Sequence, residues 1–170
     1  MLLGLSLFYV GAVLILNGLW MLGRIGDREI PVINLFAGGV NLLVALKLAF
    51  GDGADLASVK GATLSLLFSF TYLWAAINRY SGADGRGLGW FSLFVAISAL
   101  PVAGEGIASA SSPAEWWLAL SWAAWSVLWL QFFLLLAQGR AIARVTAITA
   151  IGQGVLTGWI PGYLLLTGAL

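Results

Sequence analysis

The sequence predicts an all-α membrane protein, a single domain (residues 1–170) of six transmembrane helices with both termini outside. Three observations predict it. Of the 170 residues, 61% are apolar and only 9% are charged, whereas a soluble domain carries roughly 25% charged residues. The charges fall in short clusters, and the apolar stretches between them approach the about 20 residues a helix needs to cross hydrocarbon. The arginines occupy every second cluster, which sets the orientation of the spans.

The first span runs from Leu2 to Leu22 and stops at the polar segment from Gly23 to Glu29. Nothing basic precedes Leu2, so it reads as a retained helix and not as a cleaved leader. The second begins at Pro31, whose missing N–H is harmless in a first turn, and continues to Phe50. The third covers Gly61–Ile77. The fourth, Gly89–Ala103, is short because Pro101 is expected to bend or end it. The fifth is Trp116–Leu136. The sixth, Val145–Leu170, contains Pro161, where a kink is expected.

Arg24, Arg28, Arg79, Arg86, Arg140 and Arg144 lie in the loops after the odd-numbered spans, while Asp52, Asp55, Lys60, Glu105 and Glu115 lie at the other end. The positive-inside rule makes the arginine loops cytoplasmic. Trp20, Trp90, Trp116 and Trp117 fall near span ends and fit interfacial belts. Lys47 is the one basic residue inside a span, close enough to its end to snorkel.

Composition also excludes chemistry. The chain has no cysteine and no histidine, which removes disulfides, thiol nucleophiles and the commonest neutral-pH base. A net charge of +1 gives no basic face for nucleic acid. Hydrolase, zinc-protease and nucleotide motifs are missing, and Gly85-Arg86-Gly87-Leu88-Gly89 reads as a flexible turn. The expectation is a protein that is not an enzyme and needs no cofactor or metal. No carboxylate falls near a span centre, although ion-coupled carriers normally place an ionisable group there. A neutral solute, or no solute at all, follows.

Polar residues within the spans are mostly amides and hydroxyls, and such groups often serve only to join helices. Three stripes at helical spacing point further: Val10, Leu14 and Asn17 on helix 1; Phe70, Trp74 and Asn78 on helix 3; Trp122, Trp125 and Trp129 on helix 5. Stripes of this kind are more often core than conduit. Their recurrence on alternate helices is compatible with three repeated helical hairpins about one axis. Gly154, Gly158 and Gly162 recur every four residues on helix 6, a face suited to close helix packing, and Gly38-Gly39 allows similar contact in helix 2.

Several segments resemble the urea-channel and amide-transporter family, UreI/AmiS. They are Leu7-Phe8-Tyr9-Val10-Gly11, Asn17-Gly18, Phe70-Thr71-Tyr72-Leu73, Ala75-Ala76-Ile77-Asn78, Ser92-Leu93-Phe94-Val95-Ala96-Ile97, Trp125-Ser126-Val127-Leu128-Trp129-Leu130 and Leu156-Thr157-Gly158-Trp159-Ile160-Pro161. The resemblance implies six-helix protomers in a ring of six, each with its own pore, with membrane lipid at the centre. It implies constrictions at Val10, Leu14, Phe70, Trp74, Trp125, Leu128 and Trp129. Two positions depart from the family: Gln153 replaces a glutamate, and Trp74 stands where the urea channel has a tyrosine. Acid-gated members also carry histidines on a longer outer loop.

The function expected is a passive channel for urea or short aliphatic amides such as acetamide, in the cytoplasmic (inner) membrane of a bacterium, without acid gating. Trp125 and Trp129 would form the slot, Phe70, Leu14 and Leu128 the narrowing, and Gln153 a polar contact. Whether a cytoplasmic urease or amidase lies beneath the pore stays open. The alternatives are an ion-coupled amide transporter and a structural membrane subunit without transport.

Overall fold

A computed structural model describes residues 1–170. It contains α1 (Leu2–Met21), α2 (Ile30–Phe50), α3 (Leu56–Ser81), α4 (Arg86–Ser109) and α5 (Pro113–Leu136), each long and apolar enough to cross a membrane. The sixth span is composite: α6 (Ala143–Gln153), a π-helical stretch (Gly154–Trp159) and α7 (Ile160–Thr167) follow one another without a break.

Two helices are longer than expected, for local reasons. At the start of α3 the Asp55 carboxylate accepts from the Ser58 backbone N–H, and the Ser58 hydroxyl accepts from the Asp55 N–H, both at 2.8 Å. This reciprocal cap carries the helix through Ser58 and Lys60, residues that read as loop by polarity. Helix α4 runs through Pro101 to Ser109, so the proline neither ends it nor shortens the span, a tolerance common in membrane helices. Pro161 does not stand alone either: it lies in the first turn of α7, just after the π-helical stretch.

Helix α2 packs along α3, α4 along α5, and α1 along the sixth span. The last of these contacts uses the glycine stripe. A Cβ on Gly158 would lie 2.5 Å from the Gly11 Cα, and one on Gly162 would lie 2.5 Å from the Phe8 N. Only glycine allows that approach. Elsewhere buried hydroxyls join neighbours: Ser69 donates to the Gly38 carbonyl at 2.9 Å and Ser126 to the Ala96 carbonyl at 2.7 Å. Ser6 on α1 donates to the Asn41 side-chain oxygen on α2.

Candidate functional site

A cavity of about 460 Å³ opens at the arginine-bearing end and reaches the middle of the bundle. Its wall is drawn mainly from α1, α3 and α5, with smaller contributions from α2 and α4. Leu14, Asn17, Asn78, Trp125, Leu128 and Trp129, all singled out by helical spacing or resemblance, line it. Phe68, Thr71, Tyr72 and Ala75 complete the α3 side, and Asn34 faces Asn17 across the α1–α2 seam.

Two indoles are held by threonines whose own protons are already committed. The Trp125 Nε1–H donates to Thr157 Oγ1 at 2.7 Å, while that hydroxyl donates to the Gln153 carbonyl at 2.6 Å. The Trp129 Nε1–H donates to Thr71 Oγ1 at 3.2 Å, and Thr71 donates to the Leu67 carbonyl at 2.6 Å. A hydroxyl that spends its proton on the preceding turn turns its lone pairs to the indole, so both rings are fixed edge and face.

Beyond these rings the cavity ends. Phe68, only 5% exposed, stands 4.9 Å from the Trp125 ring centroid, 5.0 Å from that of Trp129 and 5.8 Å from that of Trp122. Trp122 also meets Trp125 edge-on at 5.1 Å. Past this cluster Leu7, Val10 and Leu67 pack with Leu64, Leu118 and Leu165. Val10 and Trp122 therefore lie in and behind the aromatic plug, off the cavity wall.

Three other expected positions lie outside the cavity. Phe70 is 46% exposed and Trp74 is 38% exposed, Trp74 leaning on Phe91 of α4 at 5.8 Å. Each residue turns a helix by about 100°, so Phe70 points away from the wall that its neighbours Phe68 and Thr71 build. Phe68, and not Phe70, lines the end of the cavity. Gln153 sits behind the wall, donating from Nε2 to the Ala124 carbonyl at 2.7 Å, with its buried Oε1 unpaired. Its backbone carbonyl, not its side chain, is linked to Trp125 through the Thr157 hydroxyl. Gly154, Gly158 and Gly162 do pack against α1 as their spacing predicts.

At the open end the Trp20 indole N–H donates to Asp27 at 2.6 Å, and the Arg79 guanidinium lies 5.2 Å from the Trp20 ring centroid. Asp84 is held below the usual carboxylate range by the Arg86 backbone N–H and guanidinium. Asp27, Arg79 and Asp84 are the charged residues on the cavity wall, and all three are at the mouth. The interior is neutral: indoles, aliphatic side chains, amides and hydroxyls. It can surround a flat polar solute and offers no charge to an ion.

The sequence matches the AmiS/UreI family transporter profile over residues 2–169. It is 43% identical over 97% of its length to a transporter of amidate substrates from Mycolicibacterium smegmatis, covering 76% of that protein. It is 36% identical to the acid-activated urea channel of Helicobacter pylori, over 96% of each chain. That alignment spans 189 positions, more than the 170 residues of this chain, so the urea channel carries insertions relative to it. The crystal structure of the Helicobacter pylori urea channel superposes with a TM-score of 0.88 at 37% identity, over 99% of both chains. A cryo-electron-microscopy structure of that channel in a closed state gives a TM-score of 0.85 at 39% identity, again over 99% of each. The chain is a multi-pass membrane protein and belongs to the AmiS/UreI family of transporters.

Proposed function

We propose that the protein is a passive channel for small neutral amides, urea or short aliphatic amides such as acetamide, across the cytoplasmic membrane of a bacterium. The observation that carries this reading is the uncharged aromatic cavity. A planar amide slides between ring faces that exclude hydrated ions, while side-chain amides and hydroxyls replace part of its water. Leu14, Trp125, Leu128 and Trp129 form the slot, Asn17 and Asn78 supply polar contacts, and Phe68 is the barrier. Val10 and Trp122 line the continuation of the path once that barrier yields.

In this reading the arginine-bearing end is cytoplasmic and both termini are outside. Six protomers form a ring around lipid, and the outward rings of Phe70 and Trp74 serve contact between protomers or with lipid. The chain is not an enzyme, and no ion gradient drives the flux. Acid does not gate it: the chain has no histidine, and Asp55, Glu105 and Glu115 at the far end are each engaged by a neighbour. Asp55 caps α3 with its pKa lowered chiefly by the Ser58 backbone N–H, Glu105 pairs with Lys60, and Glu115 accepts from both the N–H and hydroxyl of Ser111.

Solute-driven swelling of proteoliposomes tests the reading with urea, acetamide, glycerol and water, with and without an ion gradient. Urea or acetamide flux above that of glycerol, and equal with and without the gradient, is the expected result. Flux that needs the gradient makes the protein a carrier. No flux of any solute makes it a structural subunit.

A further inference from the structure

Asn17 and Asn34 meet across the α1–α2 seam in a reciprocal pair: Asn17 Nδ2 donates to Asn34 Oδ1 at 3.0 Å, and Asn34 Nδ2 donates to Asn17 Oδ1 at 2.7 Å. Two primary amides that exchange an N–H and a carbonyl in this way form a closed ring of hydrogen bonds. Each uses the edge on which its N–H and its oxygen lie side by side. The second Asn34 N–H donates to the Ile30 carbonyl at 3.0 Å. Asn34, 2% exposed, is thereby anchored with its pairing edge turned towards Asn17. No such second tether holds Asn17, which is only part-buried. Both residues line the cavity.

We propose that the Asn34 edge is a recognition site for primary amides, and that Asn17 is its exchangeable placeholder. The inference rests on the amide-channel reading above and names the chemistry by which that channel would hold its solute. Urea and acetamide carry the same syn N–H and carbonyl that Asn17 presents. When such a solute takes the place of Asn17, Asn34 keeps both hydrogen bonds on that edge, so its buried amide is not left unpaired at the exchange. Alcohols lack the paired donor and acceptor. Secondary amides carry an N–H, but their dominant trans form places it on the side opposite the oxygen, so they cannot close the ring.

Two isomers separate this recognition from size. Propionamide is a primary amide, and N-methylacetamide has the same atoms but no syn N–H in its trans form. The test titrates each into the detergent-solubilised protein, reading the fluorescence of the cavity tryptophans, and then repeats the pair as competitors of urea flux in proteoliposomes. The wild type is expected to bind propionamide at least threefold more tightly than its isomer, the worth of about one neutral hydrogen bond. Asn17→Ala, which frees the Asn34 edge, widens that gap at least threefold. Asn34→Leu closes it.

A simple helix joint predicts otherwise, because both substitutions break the same contact and neither changes the preference between isomers. Equal binding of the two isomers by the wild type overturns the proposal, as does an unchanged or smaller gap in Asn17→Ala. Those two measurements decide the matter even if Asn34→Leu fails to fold. Urea flux without an isomer preference sinks this inference and leaves the channel intact. An isomer preference in detergent without urea flux does the reverse.

Discussion

The two halves of the bundle are built to opposite plans. On the arginine-bearing side of Phe68 the helices stand apart around a cavity, and its polar groups are joined sideways: Asn17 to Asn34, Trp20 to Asp27, Trp129 to Thr71. On the other side the axis is filled by Leu7, Val10, Leu64, Leu67, Leu118 and Leu165. A solute that crosses must exchange its water for protein groups and then pass a dry barrier. The difference assigns one task to each half. The hollow half replaces solvation, since an unpaired polar group costs several kcal/mol in an apolar medium. In the proposed channel the packed half limits size and stops ions.

The contrast yields paired substitutions. Gly162 lies in the packed half, and its added Cβ would meet the Phe8 backbone at 2.5 Å. Gly162→Ala is expected to cost about 1–3 kcal/mol by overpacking, measured as a lower melting temperature in detergent. Ala75 faces the cavity, so Ala75→Leu should leave the melting temperature nearly unchanged and reduce amide flux. If Ala75→Leu destabilises the protein as much as Gly162→Ala, the hollow half is not hollow.

Smaller effects come from the ties that orient the indoles. Thr71→Val keeps the volume and removes the acceptor of the Trp129 N–H. A loss of about 1 kcal/mol is expected, together with a changed urea-to-acetamide flux ratio as the ring gains freedom. Thr157→Val should do the same through Trp125. A changed melting temperature with an unchanged ratio in both variants would make these rings packing elements only.

The smallest expected effect is that of pH. Asp55 has its folded pKa depressed, so its contribution to stability is complete above the unfolded value near 3.9 and is lost only as pH falls through the folded value. Asp84, also depressed, behaves alike at the opposite end. The chain has no histidine to titrate in between. Urea flux measured from about pH 5.5 to 8 should therefore stay level, and a steep rise on acidification would contradict the proposed absence of gating.

The number and order of spans were legible because charge clusters interrupt the apolar runs. Their ends were less so, since the Asp55–Ser58 cap places polar residues inside α3. The π-helical stretch leaves no mark on hydropathy at all. The face of α3 is hard to read for a physical reason: lipid is as apolar as the core, so large apolar side chains such as Phe70 and Trp74 fall on either face. Polar residues carry the phase instead. Counting back from Asn78 through Ala75 and Thr71 at helical spacing reaches Phe68, the residue at the end of the cavity. On α5 the same ambiguity costs less: Trp125 and Trp129 line the cavity, and only Trp122 of that stripe lies off its wall.

Relative permeability in Phe68→Ala and Phe70→Ala proteoliposomes tests the account most directly, with urea, acetamide and butyramide as solutes. Removing the Phe68 ring is expected to cost about 3–5 kcal/mol of stability and to raise butyramide flux more than tenfold relative to urea. Phe70→Ala, on the outward face, should leave that ratio as in the wild type. The opposite pattern, with the ratio changed in Phe70→Ala and unchanged in a folded Phe68→Ala, would place the barrier elsewhere and contradict the account.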